Sequence, residues 1–170
     1  MDKLIRFTVS DLSKITNYRS GEIKFGEKMV TIPKNQDVLT FLKNCEQKFV
    51  LFGIPEDVGV RANSGRAGAD SAWQSAIKSI ANIQHNRFCK GNEIVILGHL
   101  DCSEEMNTIE NLDFNSTLDR KRMSELVTQI DKEVVHIITQ IVKAGKIPIV
   151  IGGGHNNAYG NIKGTALGLK

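Results

Sequence analysis

The sequence predicts an α/β fold of three layers, with helices packed on both faces of a parallel sheet. Three short apolar runs rich in β-branched residues predict the strands: Phe49 to Ile54 (FVLFGI), Glu93 to Leu97 (EIVIL) and Ile147 to Ile151 (IPIVI). Each suits a strand buried on both sides. Stretches with apolar residues at helical spacing separate them. Strands alternating with helices of this length are joined by right-handed crossovers, which leaves the strands parallel and the sheet covered.

Taken in order, the first forty residues are polar and irregular and read as a surface extension. Val38, Leu42 and Cys45 give a first helix before the first strand. Ala72, Trp73, Ala76, Ile77 and Ile80 give a second helix before the second strand, with Trp73 a core residue rather than a platform for a ligand. The polar segment from Asp101 to Arg120 reads as a long loop. The longest helix then runs from roughly Arg122 to Ala144. Its apolar stripe is Leu126, Ile130, Val134, Ile137, Ile138 and Ile141, and Gly145 stands where a C-terminal cap belongs. His136 lies off that stripe and reads as solvated, and His85 carries no stronger signal. After the third strand, Gly160, Gly164 and Gly168 recur every fourth residue, on one face of a final helix where the backbone can pack closely. Each glycine costs a helix about 1 kcal/mol relative to alanine, so this segment depends on tertiary packing. The chain divides into residues 1–47, an extension with the first helix, and residues 48–170, the main domain.

Composition narrows the function. With 170 residues, 41% apolar and 24% charged, the chain has the makeup of one globular domain. Lysine and arginine number 22 against 19 aspartates and glutamates, too small an excess to suggest a nucleic-acid partner. No apolar run reaches signal-peptide or membrane-helix length, so no membrane partner is expected and the cytoplasm is the expected location. Cys45, Cys89 and Cys102 are odd in number and widely spaced, which suggests ordinary reduced thiols rather than disulfides or a zinc knot.

Ligands of open parallel sheets bind beyond the carboxyl ends of the strands, so the residues after each run deserve the closest reading. After the third comes Gly152-Gly153-Gly154-His155-Asn156-Asn157. The glycines free the backbone to turn and leave His155 projecting at the sheet's edge, a plausible metal ligand. A glycine-rich turn with an incidental histidine, or a phosphate cradle, fits the same residues. After the first run, Arg61 and Arg66 suit bidentate contact with a substrate carboxylate, or else pair with a neighbour such as Glu56 or Asp57. Asn63 either orients a polar substrate group or bonds its own loop backbone. His99 and Asp101, just past the second run, make a rival metal site imaginable, although strand-end polar residues commonly cap loops.

Two of these segments resemble one family. IVIGGGHNNAYGN is similar to the first metal-ligand motif of the arginase, agmatinase and formimidoylglutamase ureohydrolases, and GIPEDVGVRANSGRAGA looks like a loop of the formimidoylglutamase branch, through Gly59, Val60, Asn63, Gly65, Arg66, Gly68 and Ala69. The resemblance covers Phe49 to Lys170. It implies an arginase-like α/β/α fold, a site for two Mn2+ ions with His155 as one ligand, substrate contacts from Asn63 and Arg66, a small-molecule substrate and a homo-oligomer. It assigns no ligand role to His99 or Asp101. The family's later D-A-H-x-D and S-x-D-x-D-x-x-D-P motifs do not occur here. The expectation is therefore an N-terminal part of such an enzyme, truncated after the third or fourth strand, with little activity alone.

The functional expectation is a manganese-dependent hydrolase of linear amidine C–N bonds, with formimidoylglutamate, giving glutamate and formamide, ahead of arginine or agmatine. A different class is a non-catalytic fragment acting only as a binding module through uncovered sheet edges. A glycine-loop nucleotide binder ranks last, since the loop lacks both the G-x-G-x-x-G spacing and a P-loop lysine.

Overall fold

The computed structural model describes residues 1–170. Two hydrophobic clusters lie on opposite faces of one sheet, which makes the three layers. The central strands are β3 (Phe49–Ile54) and β4 (Ile94–Leu100), and β5 (Ile147–Gly152) pairs with β3 on the other side. These three are mutually parallel, with Val50 opposite Val95 and Gly53 opposite Ile151. Side chains alternate across the sheet as strand geometry requires. Val50, Phe52 and Ile54 enter the larger cluster and Leu51 the smaller.

The larger cluster is capped by α2 (Val38–Asn44), α3 (Val58–Ala62) and α6 (Thr117–Lys143). Leu126, Ile130, Val134, Ile137, Ile138 and Ile141 of α6 are all buried, as the stripe predicted. The smaller cluster gathers around Trp73 of α4 (Ala72–Ala81), which is buried against Leu51 and Ile96. After β5 the chain forms α7 (Asn157–Gly168), whose glycines lie along α6. A Cβ on Gly160 would stand 2.8 Å from Val134, one on Gly164 2.8 Å from Ile138, and one on Gly168 2.5 Å from Val142. The four-residue spacing thus lets two backbones approach along matching ridges, and Thr139 Oγ1 donates to the Gly164 carbonyl across that seam at 3.2 Å.

Three expectations need correction. The first forty residues are not an irregular extension: they form β1 (Leu4–Arg6), α1 (Val9–Ile15) and β2 (Val30–Thr31). The three predicted strands are parallel as expected, and β1 adds an antiparallel edge to β4, pairing Leu4 with Leu100. Strands of two and three residues are too short to show a period. What admits β1 is Gly98, at φ +129°, beside the bulge where β4 slips register against β3. A side chain there would overlap the Ile5 carbonyl oxygen. Finally, the segment after Asp101 holds α5 (Ser103–Ile109), and α6 begins at Thr117 rather than near Arg122. Ser116 caps α6 by accepting from the Asp119 N–H at 3.2 Å. Glu105 of α5 is buried against Lys3 at 2.5 Å, a pairing its polar sequence does not announce.

Candidate functional site

The carboxyl ends of β3 and β5 lie side by side, so the two loops singled out by their motifs meet. Their junction is tight. Gly153 donates to the Ile54 carbonyl at 2.9 Å and Gly154 to the Glu56 carbonyl at 3.1 Å, continuing the strand pairing into the turns. A Cβ on Gly153 would overlap the Glu56 carbonyl oxygen, and one on Gly59 would overlap the Asn156 side chain. Close backbone approach, not merely a sharp turn, is what the glycines supply.

Glu56 sits at the centre of this junction and is fully buried. Its Oε1 accepts from the Gly154 N–H at 3.1 Å, from Asn157 Nδ2 at 2.6 Å and from Asn156 Nδ2 at 3.3 Å. Its Oε2 accepts from the Val58 N–H at 2.8 Å. A buried carboxylate is tolerable only when so satisfied. Asp57, also buried, accepts from Arg61 Nε at 2.6 Å and from the Gly68 N–H at 2.7 Å, which folds the rest of the loop back on itself. Arg61 is thereby held to Asp57 through Nε, the neighbour pairing its sequence position suggested.

The other predicted residues stand around this junction. His155 is exposed, and its imidazole makes no hydrogen bond. Arg66 and Asn63 are exposed on the β3 loop, Arg66 without an ion pair, while the Asn63 N–H closes α3 onto Gly59 and Val60. Asp101, ahead of α5, accepts from Ser103 Oγ at 2.6 Å and from the Ser103 N–H at 3.0 Å, and those hydrogen bonds hold its carboxyl below the usual value. His99 leans against Trp73 with ring centroids 6.2 Å apart. Burial pushes its imidazole below the ordinary value, against a smaller opposing pull from Asp101. Both Ser103 donors reach Asp101 Oδ1 and leave Oδ2 without a hydrogen bond, but no third His, Cys, Asp or Glu joins His99 and Asp101, so the pair does not make a metal site.

Sequence reasoning missed Glu56, treating it only as a partner for an arginine. It also missed Asp131 of α6, whose carboxyl is raised by burial and by the nearby Glu56, and whose Oδ1 is buried without a donor.

A family model for the Arginase family matches residues 47–169. The chain belongs to the arginase family. Among curated relatives, it is 28% identical over 161 residues to a formimidoylglutamase of Hahella chejuensis, covering 94% of this chain and 40% of that protein. It is 32% identical over 130 residues to a formimidoylglutamase of Psychrobacter cryohalolentis (73% of this chain, 34% of that protein). A third, from Geobacillus sp., is 30% identical over 129 residues (76% and 33%). The chain therefore spans two fifths or less of the length of the relatives it matches. The family-matched region contains both motif loops and all of β3, β4, β5 and α7. No helix is long and apolar enough to cross a membrane.

The family's metal chemistry requires a test against the donors present. His155 offers one accessible imidazole nitrogen. No group of three or more His, Cys, Asp or Glu side chains is placed to hold an ion, and Glu56 is fully buried, with three donors on Oε1 and one on Oε2. One imidazole binds a borderline ion weakly, and manganese favours several oxygen ligands. The described residues supply a single ligand position and do not by themselves make a metal site.

Proposed function

We propose that this chain forms one wall of a hydrolase of linear amidine C–N bonds, with formimidoylglutamate, yielding glutamate and formamide, ahead of arginine and agmatine. The observation that carries this is the hydrogen-bonded junction of the two motif loops at the carboxyl ends of β3 and β5, where α/β sheets place their sites. In this reading His155 is the residue offered to manganese, and Arg66 and Asn63 hold the substrate's polar tail from the β3 loop. Arg66, exposed and unpaired, keeps a planar fork suited to a carboxylate. A small-molecule substrate, a homo-oligomer and a cytoplasmic location complete the proposal. No step of hydrolysis is assigned to these residues alone, because the donor set is one imidazole.

A second reading, a non-catalytic binding module, is favoured by β5. It pairs only with β3, and its Ile147 and Ile149 are 44% and 36% exposed, leaving an unpaired sheet edge. One assay separates the two. The chain is supplied with Mn2+, alone and mixed with the part of the Hahella chejuensis relative that it does not match, and hydrolysis of formimidoylglutamate, arginine and agmatine is followed. Formimidoylglutamate turnover in the mixture, absent from the chain alone and lost in His155→Ala, is the expected result. Turnover of arginine or agmatine only would overturn the substrate ranking. No turnover in the mixture would favour the binding module.

A further inference from the structure

Three of the four donors on the Glu56 carboxylate come from a loop about a hundred residues away. Gly154, Asn156 and Asn157 converge on Oε1, while only Val58 is local. A carboxylate oxygen accepts but never donates, so one buried Glu gathers several N–H groups that would not gather around each other. The two asparagines depend on it heavily. Their own side-chain oxygens, Asn156 Oδ1 and Asn157 Oδ1, are buried without a donor. Their amide nitrogens alone therefore orient them, through Glu56 and, for Asn157, also the Gly154 carbonyl at 3.0 Å. His155 lies between Gly154 and Asn156 and makes no side-chain bond of its own. Its place at the sheet edge follows from residues on either side that Glu56 holds.

We propose that Glu56 is a positioning residue, whose buried carboxylate ties the His155 loop to the β3 turn and so fixes where the imidazole leaves the sheet. Its relevance to hydrolysis rests on the reading of His155 given above; its geometry does not. A residue that merely stabilised the β3 turn would draw its donors from that turn, and Glu56 draws one of four.

The test uses the isotopically labelled chain and reads two quantities by NMR: hydrogen exchange at the Gly154 and Asn157 amides relative to the core amides Leu51 and Ile96, and the His155 imidazole resonances. In Glu56→Ala the loop amides exchange about ten-fold faster or more relative to the core, and the His155 resonances move. Glu56→Gln, whose amide oxygen still accepts from the loop, restores much of both. Leu126→Ala loosens the core without touching the loop and leaves the His155 resonances in place. Should Glu56→Ala not fold, Asn157→Ala removes the shortest bond from the other side and is expected to move His155 the same way. Unmoved His155 resonances in whichever of Glu56→Ala and Asn157→Ala folds, or a Glu56→Gln variant no better than Glu56→Ala, would overturn the proposal. Both readouts are taken without added metal, so a failed metal reading and a failed positioning role give different results; His155→Ala, which removes no donor to Glu56, keeps wild-type protection at Gly154 and Asn157.

Discussion

His99 shows how a single side chain links packing to pH. Its Nδ1 is buried without a partner and its ring lies against Trp73, so the folded protein disfavours the imidazolium. The folded pKa is lowered from the ordinary 6.5, and the unfolded chain therefore takes up the proton first as the pH falls. The contribution of His99 to stability is present above that unfolded value and is lost as the pH drops through the folded one. Urea denaturation at a series of pH values should show stability declining below about pH 6.5, and a His99→Leu variant should flatten that part of the profile. An unchanged slope in the variant would assign the decline to other groups. Glu56 makes the complementary point about legibility. A glutamate next to an aspartate in a turn ordinarily reads as solvated, and nothing local distinguishes it. Only the fold, by setting β5 beside β3, brings it the donors that justify its burial. The loops that carry His155, Asn63 and Arg66 could be singled out because their motifs are contiguous in sequence.

Among the elements, those whose apolar residues keep a period over several positions could be read directly. β3 is FVLFGI as expected, α6 buries the whole stripe assigned to it, and α4 buries Trp73 and Ile77 of its stripe while Ala72, Ala76 and Ile80 are half-buried. β1 and β2 could not be read, since two or three residues carry no period and both exist through long-range pairing with β4, which Gly98 admits for β1. The early start of α6 did have a signal, Ser116 followed by Asp119, but a polar first turn gave the stripe nothing to extend. The seam of α6 and α7 was foreshadowed by glycine spacing alone, and it yields a prediction. Gly164→Ala gains about 1 kcal/mol of helix propensity but presses a methyl to 2.8 Å from Ile138 Cβ and 2.9 Å from the Val135 carbonyl. Overpacking of this kind costs about 1 to 3 kcal/mol, so the net change is a destabilisation of roughly 1 kcal/mol. Chemical denaturation checks the sign. A stabilised variant would mean that the two helices separate more easily than their ridges suggest.

At the scale of the whole molecule, the parallel core β4-β3-β5 aligns three carboxyl ends, and the arginase-family motifs occupy two of them. Around this face the chain contributes a fixed loop, one free imidazole and one unpaired arginine. β5 remains paired on one side only, and curated relatives run to more than twice this length. His155 is the residue proposed to meet a metal ion at this face. Titrating Mn2+ into the labelled chain and following paramagnetic broadening tests it most directly. Weak binding is expected, with broadening that is strongest at His155 and its loop and disappears there in His155→Ala. Broadening that spares His155, centres on His99 and Asp101, or persists in the variant would contradict it.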